Sequence, residues 1–255
     1  MTAIATSDLS GALKMEWLKL RSVRSTWWIL LVFAAGMVGF AILVGATGPA
    51  GPGPSYDPTE SLFAGLALGQ LLIGVLGVLA LSSEFSSGSV RATFAAVPRR
   101  GRVLAAKAAV ITAVTLIAGE ALAFAAFAAF PLAVKHGGPV PSLGQPGVLR
   151  AVLLGGAYPC LVALIGLGLA AVIRHTVGAV SAVIGVVFVL PLLLLPLGEH
   201  SAVMKFLPEI IAENSLTAVK PVADSLPAAA GFGMLCLYAA AALAAGGWAL
   251  ARRDA

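Results

Sequence analysis

Two sets of residues in this chain have the types and spacing to do work. The first is a lone carboxylate, Glu120, in the middle of a long apolar run, with the milder Gln70 in another. Holding an ionised carboxylate at mid-bilayer depth costs about 2.5–3.5 kcal/mol on insertion scales. Glu120 must therefore face protein, face a water-filled path or stay protonated. Two uses fit it: lining a translocation path, or making one interhelical hydrogen bond that locks a bundle. For Gln70 the packing use is favoured. The second set is the segment from Ser83 to Arg102, where Val90, Phe94 and Val97 recur at i, i+4 and i+7. That spacing predicts one apolar stripe on a short helix, ended by Pro98. Arg91 flanks the stripe, and Arg99, Arg100 and Arg102 follow it. An amphipathic helix with basic edges can dock in a groove of a soluble partner or lie on anionic headgroups. The residues alone leave both open.

The elements that position these residues are six apolar stretches, at about residues 27–47, 61–82, 104–132, 148–172, 177–197 and 227–250. A helix needs about 20 apolar residues to cross a hydrocarbon core of about 30 Å, and each stretch has them. The composition agrees, at 60% hydrophobic and 11% charged. The expected fold is an all-α integral membrane protein with six transmembrane helices and no soluble domain.

The sixteen Lys and Arg sort by side. Lys14, Lys19, Arg21 and Arg24 precede the first stretch, and Arg91, Arg99, Arg100, Arg102 and Lys107 lie between the second and third. Arg174 follows the fourth, and Arg252 and Arg253 follow the sixth. Only Lys135, Arg150, Lys205 and Lys220 fall on the other side. The positive-inside tendency makes the first side cytoplasmic, and both termini with it. The net charge of +5 is then a matter of headgroups and topology. No aromatic–basic platform accompanies it, so nucleic acid is not an expected partner.

Residues 1–26 read as a cytoplasmic arm. Leu9, Leu13, Trp17, Leu20 and Trp27 recur at helical spacing, with Glu16 and Arg24 intruding on that face. They predict an amphipathic helix, carrying Glu16, Trp17, Lys19 and Arg21, that lies on the membrane and leads into the first span. The alternative is a disordered basic tail, against which the Trp and Leu content argues. Trp27 and Trp28 open that span at headgroup level. It is longer than a signal-peptide core of about 7–15 residues and reads as uncleaved. The breaker-rich stretches at 48–54 and 137–141 are connectors. In the last outer loop, Val203, Phe206, Leu207, Ile210 and Ile211 predict a short helix, either interfacial or packed as an ordinary loop helix. Gly65-x-x-x-Gly69 admits a close helix neighbour.

Chemical motifs are few. The chain has no phosphate-binding G-x-x-x-x-G-K-[ST] loop, no H-E-x-x-H, no C-x-x-C and no G-x-S-x-G. His136, His175 and His200 are scattered, and Cys160 and Cys236 fall inside spans as packing residues. No catalytic residue, metal ligand or cofactor is expected in this chain.

The run Glu84, Gly88, Ser89, Arg91, Pro98 and Arg99 to Arg102, directly after a second span, resembles the loop of ABC-2-type transporter permeases. Lys107 enters the next span behind it. Glu16-Trp17-Leu18-Lys19-Leu20-Arg21 is similar to that family's opening, and Phe206-Leu207-Pro208 to its last outer loop. Ser89 stands where many relatives carry Thr. The resemblance implies a bacterial inner-membrane export permease subunit, paired with a second permease subunit, the same or homologous. Two separate ATPase subunits would hold ATP and magnesium. It makes residues 88–97 a cytoplasmic coupling helix pressed by those ATPases, contacting them through Glu84, Gly88, Val90, Arg91, Phe94, Val97, Pro98, Arg99 and Arg102. Two rivals belong to other classes: a membrane-embedded enzyme or assembly factor using Glu120, and an ATP-independent transporter. Apolar spans with few polar groups suggest a lipid-like or amphiphilic cargo.

Overall fold

The computed structural model describes residues 2–48, 57–97, 99–134, 138–194, 203–218 and 226–252, with side chains from residue 10 onward. Pro98, Lys135, His136, Pro196, Glu199, His200, Lys220, Arg253, residues 49–54 and the side chain of Leu9 lie outside them. Among the described residues all regular structure is helical. Helix α1 (Thr2–Ser22) is followed by α2 (Arg24–Thr47), α3 (Pro58–Leu62), α4 (Leu66–Ser87), α5 (Val90–Ala96) and α6 (Arg100–Ala133). Then come α7 (Val148–Ile173), α8 (Thr176–Ile184), a π turn at Gly185–Val189, α9 (Leu190–Leu194), a 3₁₀ turn at Met204–Phe206, α10 (Pro208–Leu216) and α11 (Ala228–Arg252).

Six of these helices are long and apolar enough to cross a membrane: α2, α4, α6, α7, the α8–α9 unit and α11. The chain is a multi-pass membrane protein. Span boundaries move where local chemistry dictates. The second span begins at Leu66, because Asp57 caps a separate helix α3 with Pro58 in its first turn. Span three starts earlier than hydropathy indicates, at Arg100, and its 34 residues would reach about 51 Å. It therefore outruns the hydrocarbon and carries its basic first turns beyond it. In the fifth, Pro191 cannot donate to the carbonyl four residues back, and the helix widens into the π turn just before it.

Helix α7 is the hub. Its apolar window is 67% buried, against 22% for α2, and it packs on α4, α6 and α11. Glycines permit the approach. A Cβ on Gly77 of α4 would lie 2.0 Å from the Ala163 carbonyl oxygen of α7, and one on Gly119 of α6 would lie 2.1 Å from that of Gly156. The Gly65/Gly69 pair admits α2 of the same chain: Gly65 abuts Gly36 and Gly69 abuts the Phe33 ring.

At the arm end, Gly88 leaves α4 in the left-handed conformation (φ 73°), its N–H bonding to the Phe85 carbonyl. Arg100 donates to the Leu250 carbonyl (3.0 Å) and Arg174 to that of Ala249 (3.2 Å). These guanidinium groups satisfy end carbonyls of α11 where the helix dipole favours positive charge. The opposite end is covered by α3 and α10. Asp57 accepts from the backbone N–H of Thr59 (2.9 Å) and of Ala218 (2.7 Å), stapling α3 to the chain after α10. Helix α10, with Leu207 just ahead of it, buries Ile211 and Leu216 and rests on α7 and α11, as in the packed alternative, whereas Val203 and Phe206 stay exposed.

Candidate functional site

Helices α1, α4, α5 and α6 converge at the arm end on four charges. Lys107 of α6 lies 2.5 Å from Glu16 Oε2 of α1 and 2.5 Å from Glu84 Oε1 of α4. The Lys19 ammonium, also on α1, donates to Glu84 Oε1 (2.9 Å), Glu16 Oε1 (3.2 Å) and the Thr93 hydroxyl of α5 (3.0 Å). Thr93 in turn lies 2.9 Å from Glu84 Oε2, which accepts from it. Lys107 is 2% exposed and Glu16 4%. Charges this deep persist only when paired and hydrogen-bonded, and two carboxylates against two ammoniums leave the cluster formally neutral.

The local folds explain the convergence. Gly88 turns the chain sharply after α4, so α5 folds back with Val90 and Thr93 buried at 4% and 5%. Phe94 is half-buried, with the Arg100 guanidinium 5.3 Å from its ring centroid. Val97 is half-buried, whereas Arg91 and Arg99 are exposed and Arg102 is partly so. The stripe foreseen on α5 thus faces the bundle at Val90 and more loosely at Phe94 and Val97, and its basic edge faces out.

Helix α1 is present, but it buries Ala12 and Glu16. Trp17 is 47% exposed, and Arg21 and Trp27 are exposed too, with the Trp27 indole N–H donating to the Arg21 carbonyl (2.9 Å). Glu16, an intruder on an apolar face by spacing, is the residue the bundle takes in. Helix α1 packs on α6, and that contact runs through Lys107. Thr93 belongs to the network without any motif to mark it. Lys107 does carry a signal beyond the family-like run. A lone lysine in Ala-rich surroundings needs an anion nearby.

Glu120 and Gln70 lie apart from this cluster. One oxygen of Glu120 is buried with no hydrogen-bond partner among the described residues, and a Cβ on Gly156 of α7 would come within 2.7 Å of its carboxyl. Gln70 is 3% exposed; it accepts from the Tyr158 hydroxyl and donates to the Ala67 carbonyl (3.1 Å), which ties α4 to α7.

A cavity of about 270 Å³ at the other end has Gln70 and Tyr158 among its lining with Glu60, Glu209 and Glu213. Among the described residues no Lys, Arg or His lines it. Burial pushes all three carboxyls above the ordinary range. Glu213 and then Asp57 add to this at Glu60, and Glu209 adds to it at Glu213. No group of three His, Cys, Asp or Glu among the described residues could hold a metal ion. Neither a protein-family model nor a curated protein matches this chain.

Proposed function

We propose that the chain is the permease subunit of a bacterial ATP-binding cassette exporter of the ABC-2 type, standing in the inner membrane with both termini cytoplasmic. It pairs with a second permease subunit and takes its power from two separate ATPase subunits. The observation that carries this is the charged cluster. A short helix presenting Arg91 outward, with the exposed Arg99 ahead of α6, is joined through Thr93 to Glu84 and Lys19, and through those to α6 and α1. A push on α5 is passed through Thr93 to Glu84 and Lys19. Helices α4 and α6 and the arm then move together, because parting them strands a buried charge. Coupling of this kind is a population shift between two packings, set by differential contacts of the ATP-bound partner. The charge distribution supports the sidedness, since Lys and Arg crowd the arm end.

The test is retention and turnover of an ATPase. A tagged chain drawn from its native membrane in mild detergent should bring a soluble ATPase at one copy per permease subunit. Arg91→Glu should cut that retention about tenfold, the scale of losing a hydrogen bond to a charged group. Vesicles holding this chain alone that concentrate cargo without ATP would overturn the assignment.

A further inference from the structure

At the arm end a cavity of about 420 Å³ opens between the α1–α2 elbow and the flanks of α4 and α6. Its volume is in the range of about 300–1,000 Å³ usual for small-molecule sites. The cavity has two kinds of wall. Leu76, Leu79 and Ile111 make one side apolar. The other is polar but formally neutral, because Glu16, Glu84, Lys19 and Lys107 balance one another. Two of the serines on it spend their protons on their own helices, Ser22 on the Lys19 carbonyl (2.9 Å) and Ser83 on that of Leu79 (2.6 Å), while the Ser87 and Ser89 hydroxyls bond each other (2.9 Å). What this wall has left to offer a ligand is mainly oxygen acceptors.

The elbow supplies the opposite charge preference. Helix α2 starts after Val23, whose backbone is extended and whose side chain cannot accept a hydrogen bond, so no side chain caps the helix. Its dipole and its first-turn N–H groups favour an anion, apart from the N–H of Thr26, which bonds to the Val23 carbonyl. The Lys19 ammonium, already bonded to Glu16, Glu84 and Thr93, adds only its nearby charge on the same lining. Depth agrees as well. Trp27 and Trp28 sit exposed one turn into α2, where amphipathic rings meet headgroups.

We infer that this cavity binds one aminophospholipid from the adjoining leaflet, its phosphate at the start of α2 and Lys19, its ammonium on the serine and carboxylate oxygens, and its acyl roots along Leu76, Leu79 and Ile111. The site needs the bundle to stand in a bilayer, and it does not depend on ATPase coupling. A phosphatidylcholine head has no N–H to give the acceptor wall. A phosphatidylglycerol head brings an uncompensated negative charge.

Native mass spectrometry of the full chain, released from detergent with phosphatidylethanolamine, phosphatidylcholine or phosphatidylglycerol of matched acyl chains, tests this. One phosphatidylethanolamine per chain should be retained about tenfold better than either other lipid, the scale of losing hydrogen bonds to a charged group. Ala80→Phe, which fills the cavity, should lower retention about tenfold. Val23→Asp should lower it as far by placing a carboxylate where the phosphate sits. Aspartate is also a good helix cap, so this variant should melt no lower than the parent. Gly39→Leu, at an open position on α2, should leave retention unchanged. Equal retention of the three lipids, or full retention by Val23→Asp with its fold intact, would overturn the site.

Discussion

Lys107 bonds two carboxylates, from α1 and α4, in a place water barely reaches. Replacing it with Met leaves Glu16 and Glu84 facing one ammonium between them, an uncompensated buried charge. We expect Lys107→Met to cost on the order of 3–5 kcal/mol, read by denaturant unfolding in micelles. Adding Glu16→Gln to it should restore part of that loss, and a double change costing the full sum of the singles would mean the pair is not coupled. The carboxylates at the opposite end of the bundle behave oppositely. Burial raises Glu60, Glu209 and Glu213 above their ordinary value, and neighbouring carboxylates add to it at Glu60 and Glu213. The folded state then holds protons that the unfolded chain releases. That stabilisation is complete below the unfolded value and fades as pH climbs through the raised one. Melting temperature should rise as pH falls from neutral toward the ordinary carboxylate range. Glu213→Gln should flatten that profile and raise the melting temperature at neutral pH, by at most about 2–4 °C because solvent screens these groups.

Helix contacts in this bundle depend on missing side chains. A Cβ on Gly77 would strike the Ala163 carbonyl, which is backbone and cannot step aside. Gly77→Ala should therefore part α4 from α7 and cost about 1–3 kcal/mol by denaturant unfolding. Gly39→Ala, with open space around it, should be neutral or gain up to about 1 kcal/mol from helix propensity. Equal effects of the two would show that α4 and α7 are not in close contact. The same elements mark what spacing reveals and what it conceals. The glycine pair at 65 and 69 announced a close neighbour, though not that α2 would be the one. Helix α1 was legible as a helix, but not its buried face. Periodicity ranks residues by apolarity, whereas Glu16 is drawn inward by Lys107, far along the chain, and such a pairing leaves no local trace. The stripe on α5 was read as a partner-facing surface, yet Val90 is turned into the bundle. Thr93, one residue off it, was invisible because its value lies in a hydroxyl that meets Glu84 and Lys19.

Across the whole molecule, six spans could be read because a run of about 20 apolar residues has few other uses. Their ends were less legible, since a cap such as Asp57-Pro58 or an outrunning basic turn such as that at Arg100 is set by hydrogen bonds and not by hydropathy. The ends are what divide the molecule. One holds the charged cluster, α5 and the guanidinium groups that close α11, and the other holds α3, α10 and their carboxylates. Which end meets the cytoplasm decides whether α5 can touch an ATPase at all. With Cys160 and Cys236 replaced by Ala, Ser86→Cys at the arm end and Ser142→Cys at the other each leave one exposed thiol. A membrane-impermeant maleimide applied to intact cells should label the thiol at position 142 and spare that at 86, and both should react once the membrane is opened. The excess of Lys and Arg at the arm end sets that expectation. The reverse pattern would turn α5 outward, away from any nucleotide, and the permease assignment would fall, while the packing of the bundle and its lipid cavity would stand.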